Sequence, residues 1–283
     1  MVTDCHTHVW SYPGHLSDAF VAEANRMRSE PVNMNVDLDD HLRAMEQVDR
    51  AVVVAFKATH SGIHVPNDYV AAYVRRVPKK LIGFLSVEPG DEDPVGEIER
   101  AVFDLGMKGI KLGPIYQNFH PNDPKAYPIY EKAQQLHLPI LFHMGTTFVQ
   151  KGPLKYARPV LLEDVALRFP DLKMVIAHLG HPWEAETIVL IRKQPNLFSD
   201  ISALFYRPWQ FYTSFRLAME YRVTDKLLFG TDYPVTTAQE SIKGLYGIAD
   251  MAHRASLPEI PKEVLDDVIH QDTFSLLGIE EAT

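Results

Sequence analysis

The chain is predicted to fold as one closed (β/α)8 barrel over residues 1–283, a single α/β domain. Three observations carry this expectation. Eight short apolar strands alternate with helical patterns, and no composition shift or low-complexity linker separates two halves. No Gly-x-Gly-x-x-Gly follows the first strand, as an open dinucleotide-binding sheet would require. A length of 283 residues suits two small domains or one large barrel, and the unbroken alternation favours the barrel.

The first strand is read in Asp4-Cys5-His6-Thr7-His8-Val9-Trp10. Side chains two apart on a strand share a face, so His6 and His8 present two imidazoles to one point. Cys5 is expected on the opposite side, as a small core residue. Ser11 to Asp37 is a long connection, with Pro13, Gly14 and Pro31 around the helix-compatible patch Phe20-Val21-Ala22-Glu23-Ala24. Connections of this length are functional or disordered, and this one is read as a lid over the first strand's end. Leu38, Leu42 and Met45 then follow helical spacing behind Asp37 and lead into an apolar strand over 50–56. Helical patterns over 67–74, 95–105, 124–136, 160–169, 184–193 and 209–221 precede strands at 81–87, 109–113, 139–143, 174–178, 197–202 and 226–232.

Composition narrows the class. Hydrophobic residues at 46% and charged residues at 23% describe a soluble globular chain and exclude a disordered one. A net charge of -9, with no run of Lys or Arg, speaks against nucleic acid as a ligand. No apolar run approaches the roughly 18 residues of a membrane span. The single cysteine forms no intrachain disulfide, and the chain opens on a strand-like segment without a charged leader, so a cytoplasmic location is expected.

In such barrels the reacting groups sit at the carboxyl ends of the strands. His6 and His8 end the first strand, His143 the fifth, His178 the sixth and Asp232 the eighth, so all five converge on one mouth. That convergence points to a shared metal site, where three neutral or anionic ligand types leave an open position and the metal lowers the pKa of bound water toward about 7. Asp232, beside the metal, can also accept the water's proton. In the fourth strand Ile110 and Leu112 face the helices, which aims Lys111 into the barrel.

Around the mouth, Tyr116, Gln117, Phe119 and His120 follow the fourth strand, Trp183 the sixth, and Phe205, Tyr206, Arg207 and Trp209 the seventh. They are read as a pocket for a planar small-molecule substrate, with Arg207 as an anion clamp. Lys111, Tyr116, Gln117, Trp183 and Arg207 are the substrate-binding candidates. His181 is expected to cap or pack, and His15, His41, His60, His64, His137, His253 and His270 to lie on the surface.

Asp-x-His-x-His, Gly-Ile-Lys-Leu-Gly-Pro, Phe-His-Met-Gly, Ala-His-Leu-Gly-His-Pro-Trp and Phe-Gly-Thr-Asp-Tyr-Pro occur in that order along nearly the whole chain. Together they resemble the amidohydrolase superfamily, in its branch that mixes metal-dependent hydrolases with non-oxidative decarboxylases. The resemblance implies a divalent metal, zinc first and manganese second, held by His6, His8, His143 and Asp232, with His178 as acid/base. It implies one metal, with Lys111 binding a substrate carboxylate or carbonyl; a second metal bridged by carboxylated Lys111 is the alternative. The Lys111 neighbourhood resembles hydrolase-like relatives. The expected activity is therefore hydrolysis of a small carboxylated or cyclic ester, lactone or amide through a metal-activated water. Non-oxidative decarboxylation of a small aromatic or unsaturated acid is the alternative, and a non-catalytic ligand-binding barrel stands behind both. A homodimer is expected by family analogy.

Overall fold

Eight strands form the barrel of the computed structural model, which describes residues 1–26 and 30–279. They are β1 (Thr3–His8), β2 (Arg50–Val54), β3 (Leu81–Phe84), β4 (Ile110–Leu112), β5 (Ile140–Phe142), β6 (Met174–Ile176), β7 (Leu197–Asp200) and β8 (Leu227–Leu228). Parallel ladders join the strands from β1 through β3 and from β4 through β8. At one seam between the ladders the Leu85 amide donates to Gly109 O at 2.8 Å and the Lys111 amide to Leu85 O at 2.6 Å. At the other, Cys5 N donates to Phe229 O at 3.0 Å, Asp232 N to His6 O at 2.8 Å and His8 N to Tyr233 O at 2.7 Å. These bonds, with isolated bridges at Leu85–Ile110 and Thr7–Tyr233, bring the two ladders together as one barrel.

Alternation along each strand divides the core in two. Ile110, Leu112, Ile140, Phe142, Met174 and Ile176 pack outward with the helices, while Val52, Val54, Phe84, Leu141, Val175, Phe198 and Leu228 fill the interior. Phe274 and Leu277, from the short helix Thr273–Leu277, join the interior cluster, and Arg50 at the start of β2 lies 5.3 Å from the Phe274 ring. That places this helix at the end opposite the strand C-termini.

Cys5 departs from expectation. Asp4 pairs with Ala51 and Thr7 with Val53, so β1 carries one more residue than β2 over this stretch. The bulge breaks strict alternation, and Cys5 packs into the interior cluster instead of facing away.

The long segment after β1 contains the helix Asp18–Arg26. It is stitched to an antiparallel hairpin, Phe56–Ala58 with Ile63–Val65, that strand–helix counting does not foresee. Ser17 N donates to Gly62 O at 2.9 Å and His64 N to His15 O at 2.8 Å. Phe20 is buried 5.3 Å from the Phe148 ring, so the segment forms one wall of the cavity above the barrel. Part of the expected lid, residues 27–29, lies outside the described residues.

His41 is a second departure. It sits on the inner face of the helix Leu38–Ala44, fully buried, stacked on Tyr233 at 5.0 Å and with Nδ1 3.1 Å from the Tyr73 hydroxyl. His60, His64, His137, His253 and His270 are exposed and His15 is half-buried. Among the described residues no helix is long and apolar enough to cross a membrane.

Candidate active site

The carboxyl ends of the strands bring the expected donors together. Asp232 Oδ1 lies 3.2 Å from His8 Nε2 and 3.6 Å from His6 Nε2. His6, His178 and Asp232 each offer a ligand atom within 4.8 Å of the others. The His143 ring stands 5.2 Å from that of His178, with its Nε2 3.1 Å from Thr146 O. Two of these side chains rise from unusual backbone: His178 has φ 57° and Asp232 φ 59°, in the left-handed region that non-glycine residues avoid. Strain of this kind persists where surrounding structure over-determines it, as it does at functional sites.

The neighbouring loops lock the arrangement. Gly145, two residues past His143, has φ 110°, and a Cβ there would fall 2.4 Å from His181 O. Only glycine lets the loops after β5 and β6 approach this closely.

Burial governs the protonation states. It drives the His6 imidazole down to about 3, helped by the Lys111 charge and opposed by Asp200. His8 and His143 are lowered by the same desolvation. Burial alone would raise the Asp232 carboxyl, but the imidazoles of His178, His8 and His6 outweigh it and hold the group well below the carboxylate range. Neutral imidazoles beside an ionised carboxylate are the state in which a divalent metal binds.

Several residues outside the expected set complete the site. Asp200, at the end of β7, places Oδ2 3.0 Å from His6 Nδ1, while its Oδ1 accepts from the amide of His178 at 2.8 Å and the hydroxyl of Ser202 at 2.6 Å. That hydroxyl lies 2.8 Å from His178 Nδ1. Asp4 is fully buried and accepts from the Thr231 hydroxyl at 2.7 Å and the His6 amide at 3.0 Å. Desolvation raises its carboxyl to about 7 in spite of those bonds. Asp200 was within reach of the strand-end rule; Asp4 was visible only as the first position of Asp-x-His-x-His.

A cavity of about 760 Å³ opens above these groups. Lys111, Tyr116 and Arg207 line it, with Phe205, Tyr206, Phe20 and Trp10 adding apolar wall. Lys111 is 1% exposed, its Nζ 2.8 Å from His6 Nε2, and burial lowers its ammonium to about 8 against the pull of Asp232 and Asp200. The Tyr116 ring meets His143 edge-on at 4.6 Å.

Two candidates point elsewhere. Gln117 accepts from Gly113 N at 2.9 Å and donates to Lys57 O at 2.7 Å and Val87 O at 2.8 Å, so its amide is spent on backbone groups. Trp183 precedes the helix Glu184–Lys193 and packs on the outer core, away from the cavity lining. Conversely His181, expected to cap or pack, lines the cavity.

A family model described as Amidohydrolase matches residues 3–271. The chain is 25% identical over 198 residues to a 2-amino-3-carboxymuconate-6-semialdehyde decarboxylase of Dictyostelium discoideum, covering 59% of this chain and 55% of that protein. It is 24% identical over 178 residues to a 2-keto-4-carboxy-3-hexenedioate hydratase of Sphingobium sp., covering 52% of each. The chain thus spans about half the length of the curated relatives it matches. Among solved structures, an uncharacterised TIM-barrel protein from Bordetella bronchiseptica superposes with a TM-score of 0.77 at 21% identity, over 98% of both chains. A probable 2-pyrone-4,6-dicarboxylic acid hydrolase from Acinetobacter baumannii gives 0.69 at 18%, over 98% of this chain and 99% of that one. A manganese complex of 5-carboxyvanillate decarboxylase from Novosphingobium aromaticivorans gives 0.71 at 13%, over 99% and 96%. At such identities the structural likeness speaks to the TIM-barrel fold. With the family model covering nearly the whole length, the chain belongs to the amidohydrolase family.

Proposed function

We propose that the protein is a divalent-metal-dependent hydrolase of a small carboxylated ester, lactone or amide. The observation that carries this reading is Lys111, a buried cation 2.8 Å from His6 Nε2 on the cavity wall. Carbonyl addition develops negative charge on oxygen, and a fixed cation at that place stabilises the transition state more than the ground state. Decarboxylation works the other way, because the reacting carboxylate loses charge and a cation beside it steadies the ground state.

His6, His8, His143 and Asp232 would hold the metal, and three imidazoles with one carboxylate suit zinc, or in second place manganese. For His6, His8 and Asp232 the geometry suits a cation: Asp200 holds His6 Nδ1, so that Nε2 turns toward Lys111 Nζ and Asp232, and Asp232 lies within reach of both imidazoles of β1. When bound, the ion supplies an activated water and polarises the substrate carbonyl at neutral pH. Asp232 accepts the proton from water, and His178, with Nδ1 on Ser202, moves protons on the same side of the substrate. Arg207, paired with no carboxylate among the described residues, receives a substrate carboxylate at the cavity rim.

A second reading, non-oxidative decarboxylation, is favoured by the curated decarboxylase relative and by the manganese-bound decarboxylase neighbour. A panel of lactones, esters and hydroxybenzoates, assayed with zinc- and manganese-loaded protein, tests the choice. Turnover of esters or lactones is the expected result, and turnover of the carboxylated aromatics alone would replace hydrolysis by decarboxylation.

A further inference from the structure

The cavity holds a second imidazole backed by a carboxylate, outside the group formed by His6, His178 and Asp232. Glu184 Oε1 lies 3.1 Å from His181 Nδ1 and also accepts from Gln210 Nε2 at 2.7 Å. Glu184 is 7% exposed, and His181 lines the cavity wall. A carboxylate held in this way keeps one proton on Nδ1 and supports the doubly protonated ring, whose second proton, on Nε2, is then the one given to a ligand.

The ring is placed by rigid contacts. His181 N donates to His178 O at 3.0 Å, and His181 O accepts from Thr146 N at 2.7 Å. His178, Leu179 and Gly180 have φ of 57°, 50° and 63°, a run of left-handed residues that turns the chain between the two imidazoles. Such backbone is costly at non-glycine residues and persists only where the surrounding structure holds it, which marks the turn as a positioning device. Its product is two imidazoles, three residues apart, in the wall of one cavity.

Hydrolysis needs a proton removed on the attacking side and one delivered on the leaving side. His178 shares the cluster of His6 and Asp232 and so belongs to the attacking side. We propose that His181, backed by Glu184, protonates the leaving oxygen, an inference that rests on the hydrolysis reading. The water oxygen bonds to the carbonyl carbon as Asp232 takes one of its protons. The carbon–oxygen bond then breaks, its electron pair departs on the leaving oxygen, and that oxygen takes the proton from His181 Nε2. His181 keeps its Nδ1 proton on Glu184 and recovers the other through solvent from Asp232, so the acid and alcohol together carry the atoms of water.

The test compares kcat/KM for 4-nitrophenyl and ethyl hemisuccinate in metal-loaded wild type, His181→Gln and Glu184→Gln, with metal content per chain measured for each. Nitrophenolate departs without a proton and ethoxide does not. His181→Gln is expected to lose about 100-fold or more on the ethyl ester and about tenfold or less on the nitrophenyl ester, with its metal retained. Glu184→Gln should lose less, with the same bias, and it stands in if His181→Gln does not fold. Equal losses on both esters, or full retention of ethyl ester turnover, would overturn the leaving-group role while hydrolysis stands. A wild type inert to both esters would overturn the hydrolysis reading and this inference with it.

Discussion

Asp200 Oδ2 and His6 Nδ1 face each other at 3.0 Å, with both side chains wholly shielded from solvent. The contact commits Nδ1 to Asp200 and leaves Nε2 toward the donor side of the site, 2.8 Å from Lys111 Nζ. His6 can present Nε2 to a metal only while Asp200 holds Nδ1. The same carboxylate receives the His178 amide and the Ser202 hydroxyl, so one group orients a β1 ligand candidate and the β6 acid/base together.

Asp200→Ala is therefore expected to weaken metal affinity by about 10–100-fold, read by competition with a chromogenic chelator. Unchanged affinity with reduced turnover would confine Asp200 to His178.

Lys111→Met should keep the metal and lower kcat for esters by about 100-fold or more, with a smaller change in KM, since the cation acts on charge that develops in the transition state. A rise in KM at constant kcat would instead make Lys111 a ground-state anchor for a substrate carboxylate.

The donors that could be read from the sequence were those whose position follows from strand periodicity. His6 and His8 lie at the end of β1, His143, His178 and Asp232 follow closely on the ends of β5, β6 and β8, and Lys111 falls between two outward-facing residues. Strand position thus brings them to one mouth, although the backbone turn at His178 and Asp232 is not legible. Asp200 occupies the same kind of position, but no local pattern reveals that its partner lies 194 residues away. The Cys5 orientation depends on a bulge set by pairing with β2, which sequence spacing does not carry. Gln117 ends the single helical turn Pro114–Gln117 and Trp183 precedes the helix Glu184–Lys193, where no extended period fixes side-chain direction and unsatisfied backbone groups compete for an amide. The burial of His41 was more accessible, because Leu38, His41 and Met45 share one helical face.

Gln117→Leu separates structure from chemistry. It strips partners from Gly113 N, Lys57 O and Val87 O, and leaving such groups unpaired costs about 3 kcal/mol together. Urea unfolding should show that loss, with metal content retained. A selective rise in KM without loss of stability would return Gln117 to the substrate site.

His41 makes an acid-stability switch that can be worked out in sign. Burial, with a smaller push from the Lys80 charge, lowers its imidazole from 6.5 to about 4. The unfolded chain therefore takes up a proton near pH 6.5 that the folded chain refuses until about pH 4, so stability is full above that window and falls as pH drops through it. The span corresponds to about 3 kcal/mol for this one group. His41→Phe removes the titration, and with it the buried Nε2 atom that has no partner among the described residues. Urea unfolding free energies at pH 7, 6, 5 and 4 should decline more steeply in wild type than in the variant. Because the other buried histidines titrate alike in both proteins, the difference between the two curves isolates His41. Parallel curves would mean that solvent reaches the ring in the folded state and that its packing between Tyr73 and Tyr233 does not govern its charge.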